Sequence, residues 1–427
     1  MMQYHRLASG DLAALASGLG GTPVVHELRA SQLSRHLLLL KFVSAQWPID
    51  RAGLDLAVQT LAAAQQVDPA AYPDLLGDPL VGAWLTTTTR RLRGVESSAF
   101  PLSGDLLHIG GLAAAAAVRL GLDCEVIGYA RHGRLTLPAT GEAIIPDDPD
   151  GPIPITVSGG QTSLPGDGWL GLRRLTARHG DLAIAVNVED GNPYRSGYHA
   201  PPSERLSDAE FGRWQAMFAE AWELICRFLP ERAAELAVGL RAVVPLVDDG
   251  SGGARSGTAR ESVGALGLTR PRSAVDFAIT IVHEFQHSKL SAVLDLVELY
   301  QPDGAERHFA PWRVDPRPTA GLIQGVYAFL GVADAWRGLR SSPGLEQVAT
   351  DQLATVREQV RVGLDALAAS AELTALGRHF TAGLQVAVDR LFADPLPSEA
   401  VRKARSSLAD RRAAWDHRLS GPAARAF

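Results

Sequence analysis

The sequence predicts an α+β protein, predominantly α-helical, with a smaller mixed α/β layer between two helical regions. Three observations carry this. Apolar residues recur at three- and four-residue spacing over 1–95 and over most of 201–427. Short β-prone runs cluster between those regions. A composition of 46% hydrophobic and 21% charged residues over 427 positions is that of a folded chain long enough for more than one core.

Residues 1–95 form the helical N-terminal region. The helical period is clearest through LRASQLSRHLLLLKFVSAQW, and Pro and Gly residues punctuate shorter helices behind it. In the mixed α/β region, 96–200, GDLLHIGGLAAAAAVRLGL reads as a small-residue helix ending at Gly121. CEVIGYA, RLTLP, IPITVSG, WLGLRRLTA and LAIAVNV then read as strands, with the tetrad from Ala130 to Gly133 as a hairpin turn. The region 201–427 is helical and carries the chemistry. Ser207 and Glu210 have the spacing of a capping box, and one long amphipathic helix is expected from Ser273 to Tyr300. The Gly/Ser-rich stretch 248–262 lies so close to that helix that it is expected to rest on the site as a loop rather than serve as a connector.

Charge and composition exclude several classes. A formal net charge of −6, without a Lys/Arg stripe interleaved with aromatics, argues against a nucleic-acid partner. The N-terminus lacks a basic segment followed by a long apolar run, and the other apolar runs are too short for a bilayer, so a cytoplasmic protein without membrane partners is expected. The two cysteines, Cys124 and Cys226, lie in apolar stretches and read as core thiols rather than a disulfide framework.

The helix expected from Ser273 contains IVHEFQHSKL. Residues four apart share one helix face, so His283 and His287 can point two imidazoles at one metal ion. Glu284 lies about 100° around the helix, where zinc peptidases place a general base. With twelve histidines, a chance His-Glu-x-x-His occurs in roughly one or two such sequences per hundred. Context decides the matter: FAITIV before the motif and LSAVLDLV after it make a buried helix, in which two His and a Glu are costly without partners.

Asp295 and Glu298 lie roughly 12 and 16 Å along the helix axis from His287, too far to complete the set. The chain must return beyond QPDG, and His308, Asp315 and Gln324 are the candidates. Zinc prefers His, Cys and carboxylate, so a Gln324 amide would suit it poorly, whereas Asp315 would complete the two-His, one-carboxylate set of a non-haem iron site. In HFAPWRVDPRP, Arg313 and Arg317 can each clamp a carboxylate bidentately. His36, His108, His379 and His417 read as packed or capping residues. Tyr194, Arg195 and Trp312 read as substrate contacts or loop anchors.

The blocks VHEFQHSKLSAVLDLVELY, FAPWRVDPRP and GLIQGVYAFLGVADAWR, in this order over 282–337, resemble the HEXXH-motif domain of bacterial peptide modification, also described as α-ketoglutarate-dependent HExxH-type peptide β-hydroxylases. SQLSRHLLLL, NPYR and VVPL are weaker echoes elsewhere in the chain. The resemblance implies a zincin-like helical metal-site region in which His283 and His287 bind Fe(II), with Glu284 beside them. Gln324 would supply the third ligand, with Asp315 or His308 as alternatives, and Arg313 or Arg317 would hold α-ketoglutarate. The implied substrate is a ribosomal precursor peptide. Two alternatives stand beside it: a zinc peptidase with Glu284 as base, and a non-catalytic peptide-binding partner.

Overall fold

A computed structural model describes residues 5–147, 149–164, 168–250, 254–302 and 304–420. The protein is α+β with helix predominating: thirteen helices and eleven strands occur among the described residues.

The N-terminal helices are α1 (Ser9–Ala16), α2 (Thr22–Ala45), α3 (Ala52–Val67), α4 (Tyr72–Leu76) and α5 (Pro79–Leu92). Asp78 caps α5 by accepting from the Leu80 amide, with Pro79 at the first helical position where no amide is missed. Helix α6 (Leu102–Leu120) ends at Gly121 in the left-handed conformation, φ 68°, as its C-terminal glycine foretells.

Helix α6 is buried almost throughout because its small residues let strand backbones close on it. A Cβ on Gly110 would stand 1.9 Å from the Ile127 carbonyl oxygen, and one on Gly111 2.3 Å from that of Thr136. Those carbonyls belong to β1 (Cys124–Ala130) and β2 (Arg134–Leu137). His132 and Gly133 between these strands both have positive φ, 48° and 61°, and Arg131 and Arg134 exchange both backbone hydrogen bonds, as a two-residue hairpin turn requires. The pairing stops at that one bridge. Beyond it β1 joins β4 (Gly151–Ser158) and β5 (Gln161–Ser163), while β2 joins β3 (Gly141–Ile144) and β6 (Gly168–Gly171).

The run WLGLRRLTA divides between two sheets, β6 in the small one and β7 (Arg173–His179) in the largest. That largest sheet has the order β10-β11-β9-β8-β7. Its strands β7 and β8 (Leu182–Val188) come from the region expected to end at residue 200. Its strands β9 (Ala242–Pro245), β10 (Ser256–Gly257) and β11 (Ala265–Leu268) come from the region expected to begin at 201. The join is the parallel pairing of β8 with β9. Edge strand β7 is covered by a side chain: Gln215 accepts from the Thr176 amide at 2.9 Å and donates to its carbonyl at 2.7 Å.

Gln215 belongs to α7 (Asp208–Phe228), which opens with the capping box of Ser207 and Glu210, and α8 (Pro230–Gly239) follows it. The motif helix α9 (Ala274–Leu294) starts at Ser273, whose hydroxyl accepts from the Asp276 amide. It stops at Leu294, short of the expected Tyr300. Beyond Asp295, Leu299 is fully buried and Tyr300 bridges to Leu373, so tertiary burial overrides the continuing helical period. Helices α10 (Thr319–Leu339), α11 (Glu346–Ala368), α12 (Ala375–Ala393) and α13 (Ser398–Ser420) complete the chain.

Three main cores follow. One joins α3, α5 and α6 to the two small sheets, one joins α1, α2 and α9–α12, and one packs α7, α8 and α9 on the largest sheet. Helix α9 borders the last two. Its back face is fastened by a buried ion pair, Lys289 Nζ to Glu235 Oε2 at 2.7 Å, and Glu235 Oε1 also accepts from the amides of Gly20 and Gly21. Gln286 donates to the Gly18 carbonyl at 3.0 Å. The N-terminal turn between α1 and α2 is thus locked behind the histidine motif. No described helix is long and apolar enough to cross a membrane.

Candidate metal centre

His283 and His287 leave α9 one turn apart and face a cavity of about 490 Å³. Their Nε2 atoms are 3.2 Å apart. If each nitrogen bound a single ion at about 2.0–2.1 Å, the angle at the ion would be roughly 100°, which suits tetrahedral or octahedral coordination. Burial, with the neighbouring His287 second, pushes the His283 imidazolium down to about 3. The ring is therefore neutral at neutral pH, the state a metal ligand needs. The pair offers two imidazole donors suited to a divalent metal, while among the described residues no group of three or more His, Cys, Asp and Glu that could hold one comes together.

His287 is oriented through its other nitrogen: Nδ1 is 3.0 Å from Gln324 Oε1. With Nδ1–H donating to that oxygen, the lone pair of Nε2 is left for a metal, the usual arrangement around a ligating histidine. Gln324, expected as a third ligand, thus occupies the position of an orienting group, on the side of the ring away from the two Nε2 atoms. It comes from α10, one turn below Ala328 and Phe329.

Glu284 is buried, and each of its carboxylate oxygens is held by a hydroxyl. Ser256 Oγ donates to Oε1 at 2.7 Å and Thr258 Oγ1 to Oε2 at 3.0 Å. Both donors come from the Gly/Ser-rich stretch expected to rest on the site, of which 251–253 lie outside the described residues. Oε1 of Glu284 is 3.9 Å from His283 Nε2.

The opposite wall comes from the loop before α10. Trp312 stacks on Phe329 at 4.9 Å, and Phe329 meets the His283 ring edge-on at 4.8 Å. Trp312 reaches this place because two helices lack side chains beneath it: a Cβ on Gly325 or Gly363 would come within 2.3 or 2.6 Å of its ring. Arg313 and Arg317 line the cavity and share Asp315, with contacts of 3.1 Å each. Asp315 is thereby turned to its own loop. His308 bonds Thr319 at 3.0 Å and lies 3.3 Å from Glu306. Neither of these two alternative ligands lines the cavity with the histidine pair, because each is held by partners nearer in its own loop.

The remaining candidates separate. Tyr194 donates to Asp105 at 2.8 Å inside the first core, and Arg195 donates to the backbone carbonyls of Gly191, Asn192 and Ser203, so neither reaches this cavity. His36 and His108 are buried in packing, and His379 and His417 are exposed. Three further lining residues are not singled out by the sequence: Arg260 within the Gly/Ser-rich stretch, Tyr300 at the end of the motif block, and His199 in a left-handed turn with φ 63°. No family model matches the chain, and no curated protein matches its sequence.

Proposed function

We propose that the protein is an Fe(II)- and α-ketoglutarate-dependent oxygenase that hydroxylates the β-carbon of a residue in a ribosomally made peptide in the cytoplasm. The observation that carries this reading is the convergence of two imidazole nitrogens on the wall of a cavity that also presents two arginines. His283 and His287 would hold the metal, and the region of α9, β10 and α10 is read as zincin-like. When bound, iron would supply oxygen activation coupled to decarboxylation of α-ketoglutarate.

The chain's own residues do the positioning. Gln324 would hold the His287 ring with Nε2 toward the metal, and Ser256 with Thr258 holds the Glu284 carboxylate beside the cation site. Arg313 and Arg317, which both donate to the Asp315 carboxylate and line the cavity, would take the distal carboxylate of α-ketoglutarate. Phe329 and Trp312 keep water from one side of the histidine pair. The cavity is large enough for the cosubstrate and one peptide side chain.

A zinc peptidase is favoured by one observation, the Glu284 carboxylate 3.9 Å from His283 Nε2, where a base would meet a metal-activated water. One experiment separates the two readings. Anaerobic loading with Fe(II) and α-ketoglutarate is expected to produce a visible charge-transfer absorption, followed by succinate on admitting oxygen. Absence of both, with tightly retained zinc and peptide cleavage, would replace the oxygenase by the peptidase.

A further inference from the structure

A second polar cavity, sharing no lining residue with the histidine cavity, lies where the segment after β8 folds against β2 and β3. Three carboxylates meet at its closed end: Glu142, Glu189 and Asp190, which are 4%, 3% and 2% exposed. Two of them are engaged. Asp190 accepts from Arg173 at 2.5 Å, Arg205 at 3.3 Å and the Leu206 amide at 3.1 Å. Glu142 accepts from Thr136 at 3.2 Å and Arg134 at 3.4 Å.

Glu189 differs. No described residue donates to its carboxylate, and Oε1 is sealed from solvent without a partner. A buried, undonated carboxylate is costly, and such a group in a folded protein calls for a ligand or a bound water. The niche it lines has about 20 Å³, the room of one water molecule or one ammonium group.

The niche shares walls, among them Glu142, Asp190 and Arg205, with a cleft of about 320 Å³. The other side of that cleft is cationic, with Arg131, Arg134 and Arg195. Arg195 gives its terminal nitrogens to backbone carbonyls, is in ion-pair contact with no described carboxylate, and keeps Nε unpartnered. The cavity therefore joins an undonated carboxyl at its closed end to a guanidinium on its wall that makes no direct ion pair with a described carboxylate, although Glu142, Asp190, Glu204 and Glu189 lie within its electrostatic reach.

We propose that this cavity binds a small zwitterion of the α-amino acid or short-peptide class, its primary ammonium against Glu189 and its carboxylate on Arg195. A bare metal ion fits less well, since Mg²⁺ or Ca²⁺ requires about six or more oxygen donors and the neighbouring carboxylates are already occupied by protons of Arg, Thr and backbone. A water would donate to Glu189 but bring no positive charge to the three crowded carboxyl groups. That crowding is real: burial, then Asp78, Asp190 and Glu142, holds the Glu189 carboxyl well above the usual carboxylate range against the opposing pull of Arg195, so the group keeps its proton until an added positive charge offsets the crowding. The inference stands independently of the metal-centre reading.

The test is calorimetric titration of the full chain with L-alanine and L-alanyl-L-alanine, each against its N-acetylated and C-amidated forms, with Mg²⁺ and K⁺ alone as further probes. Saturable binding of either free zwitterion is expected, with the tighter one giving the length of the ligand. N-acetylation and Glu189→Gln should each weaken it about tenfold or more, the worth of a charge-assisted hydrogen bond. Arg195→Gln should weaken the free acids but not the amides. The proposal is overturned if neither zwitterion binds, if N-acetyl forms bind as tightly as their parents, or if Glu189→Gln retains full affinity with an unchanged circular dichroism spectrum. Saturable Mg²⁺ or K⁺ binding abolished by Glu189→Gln would overturn it too. The comparison of free and acetylated probes on the unaltered protein decides the matter even where a variant fails to fold.

Discussion

Gln324 Oε1 lies 3.0 Å from Nδ1 of His287, so a neutral side chain on α10 sets which nitrogen of an α9 histidine faces the cavity. Gln324→Ala removes that acceptor and leaves the ring free to turn. Loss of such an outer partner typically weakens metal affinity about 10- to 100-fold. Titration of the apoprotein with Fe(II) or Zn²⁺ is expected to show that loss with the fold intact. Unchanged affinity would mean that Gln324 neither orients nor ligates.

Glu284 is clamped by two hydroxyls from a loop that is otherwise rich in glycine and serine. Ser256→Ala and Thr258→Val each leave one buried carboxylate oxygen without its donor, at about 1–3 kcal/mol apiece. Because both donors act on one group, the double variant should cost more than the sum of the singles. The loop should also become more open to proteolysis near residues 254–258, and limited digestion read by mass spectrometry would detect it.

The histidine pair and the aromatic and arginine blocks are legible in the sequence because each depends on local spacing: His283 and His287 share a face, and FAPWRVDPRP announces its own stiffness. What spacing cannot tell is which atom of a side chain meets which. Gln324 does meet His287, but that it does so at Nδ1 depends on how α10 docks on α9. Equally hidden is the parallel pairing of β8 with β9, separated by α7 and α8, which makes one sheet across the expected boundary at residue 200. The helix end at Leu294 escapes the periodicity for the same reason: Leu299 finds its core against α12 rather than along the helix.

Acid stability is expected to depend on two buried histidines outside the site. Burial pushes His36 down to about 4, with its Nδ1 on the Leu76 carbonyl at 2.7 Å, and pushes His108 down to about 3. In the unfolded chain both take up a proton near pH 6.5, so below that pH the unfolded state binds more protons than the folded one. Their contribution is complete above pH 6.5 and falls as the pH drops toward 4, by about 1.4 kcal/mol for each pH unit per group. Thermal unfolding midpoints should therefore fall over this window, and His36→Asn should flatten the slope. An unaltered slope in that variant would show that His36 titrates normally.

The ion pair of Lys289 and Glu235 lies behind the motif, and its two members are not equivalent. Both side chains are 1% exposed, yet burial pushes Lys289 down to about 8, so this lysine can shed its proton at modest cost if it loses its partner. Glu235 has no such escape, because its Oε1 also holds the amides of Gly20 and Gly21. Lys289→Met should accordingly be the worse single change, approaching the 3–5 kcal/mol, roughly, of a broken buried pair. Glu235→Gln, which keeps a carbonyl oxygen for those amides, should be milder. Combining the two removes both charges while the glycine amides keep their acceptor, and should recover most of the loss. Chemical unfolding of the four proteins closes the cycle. A Glu235→Gln variant less stable than Lys289→Met would reverse the order, and the carboxylate's hold on the N-terminal turn would then stabilise the fold more than the lysine's charge does. Metal affinity is the companion readout: the pair sits on the face of α9 turned from the cavity, so Lys289→Met is expected to lower the unfolding midpoint while leaving Fe(II) or Zn²⁺ binding at His283 and His287 near its original strength.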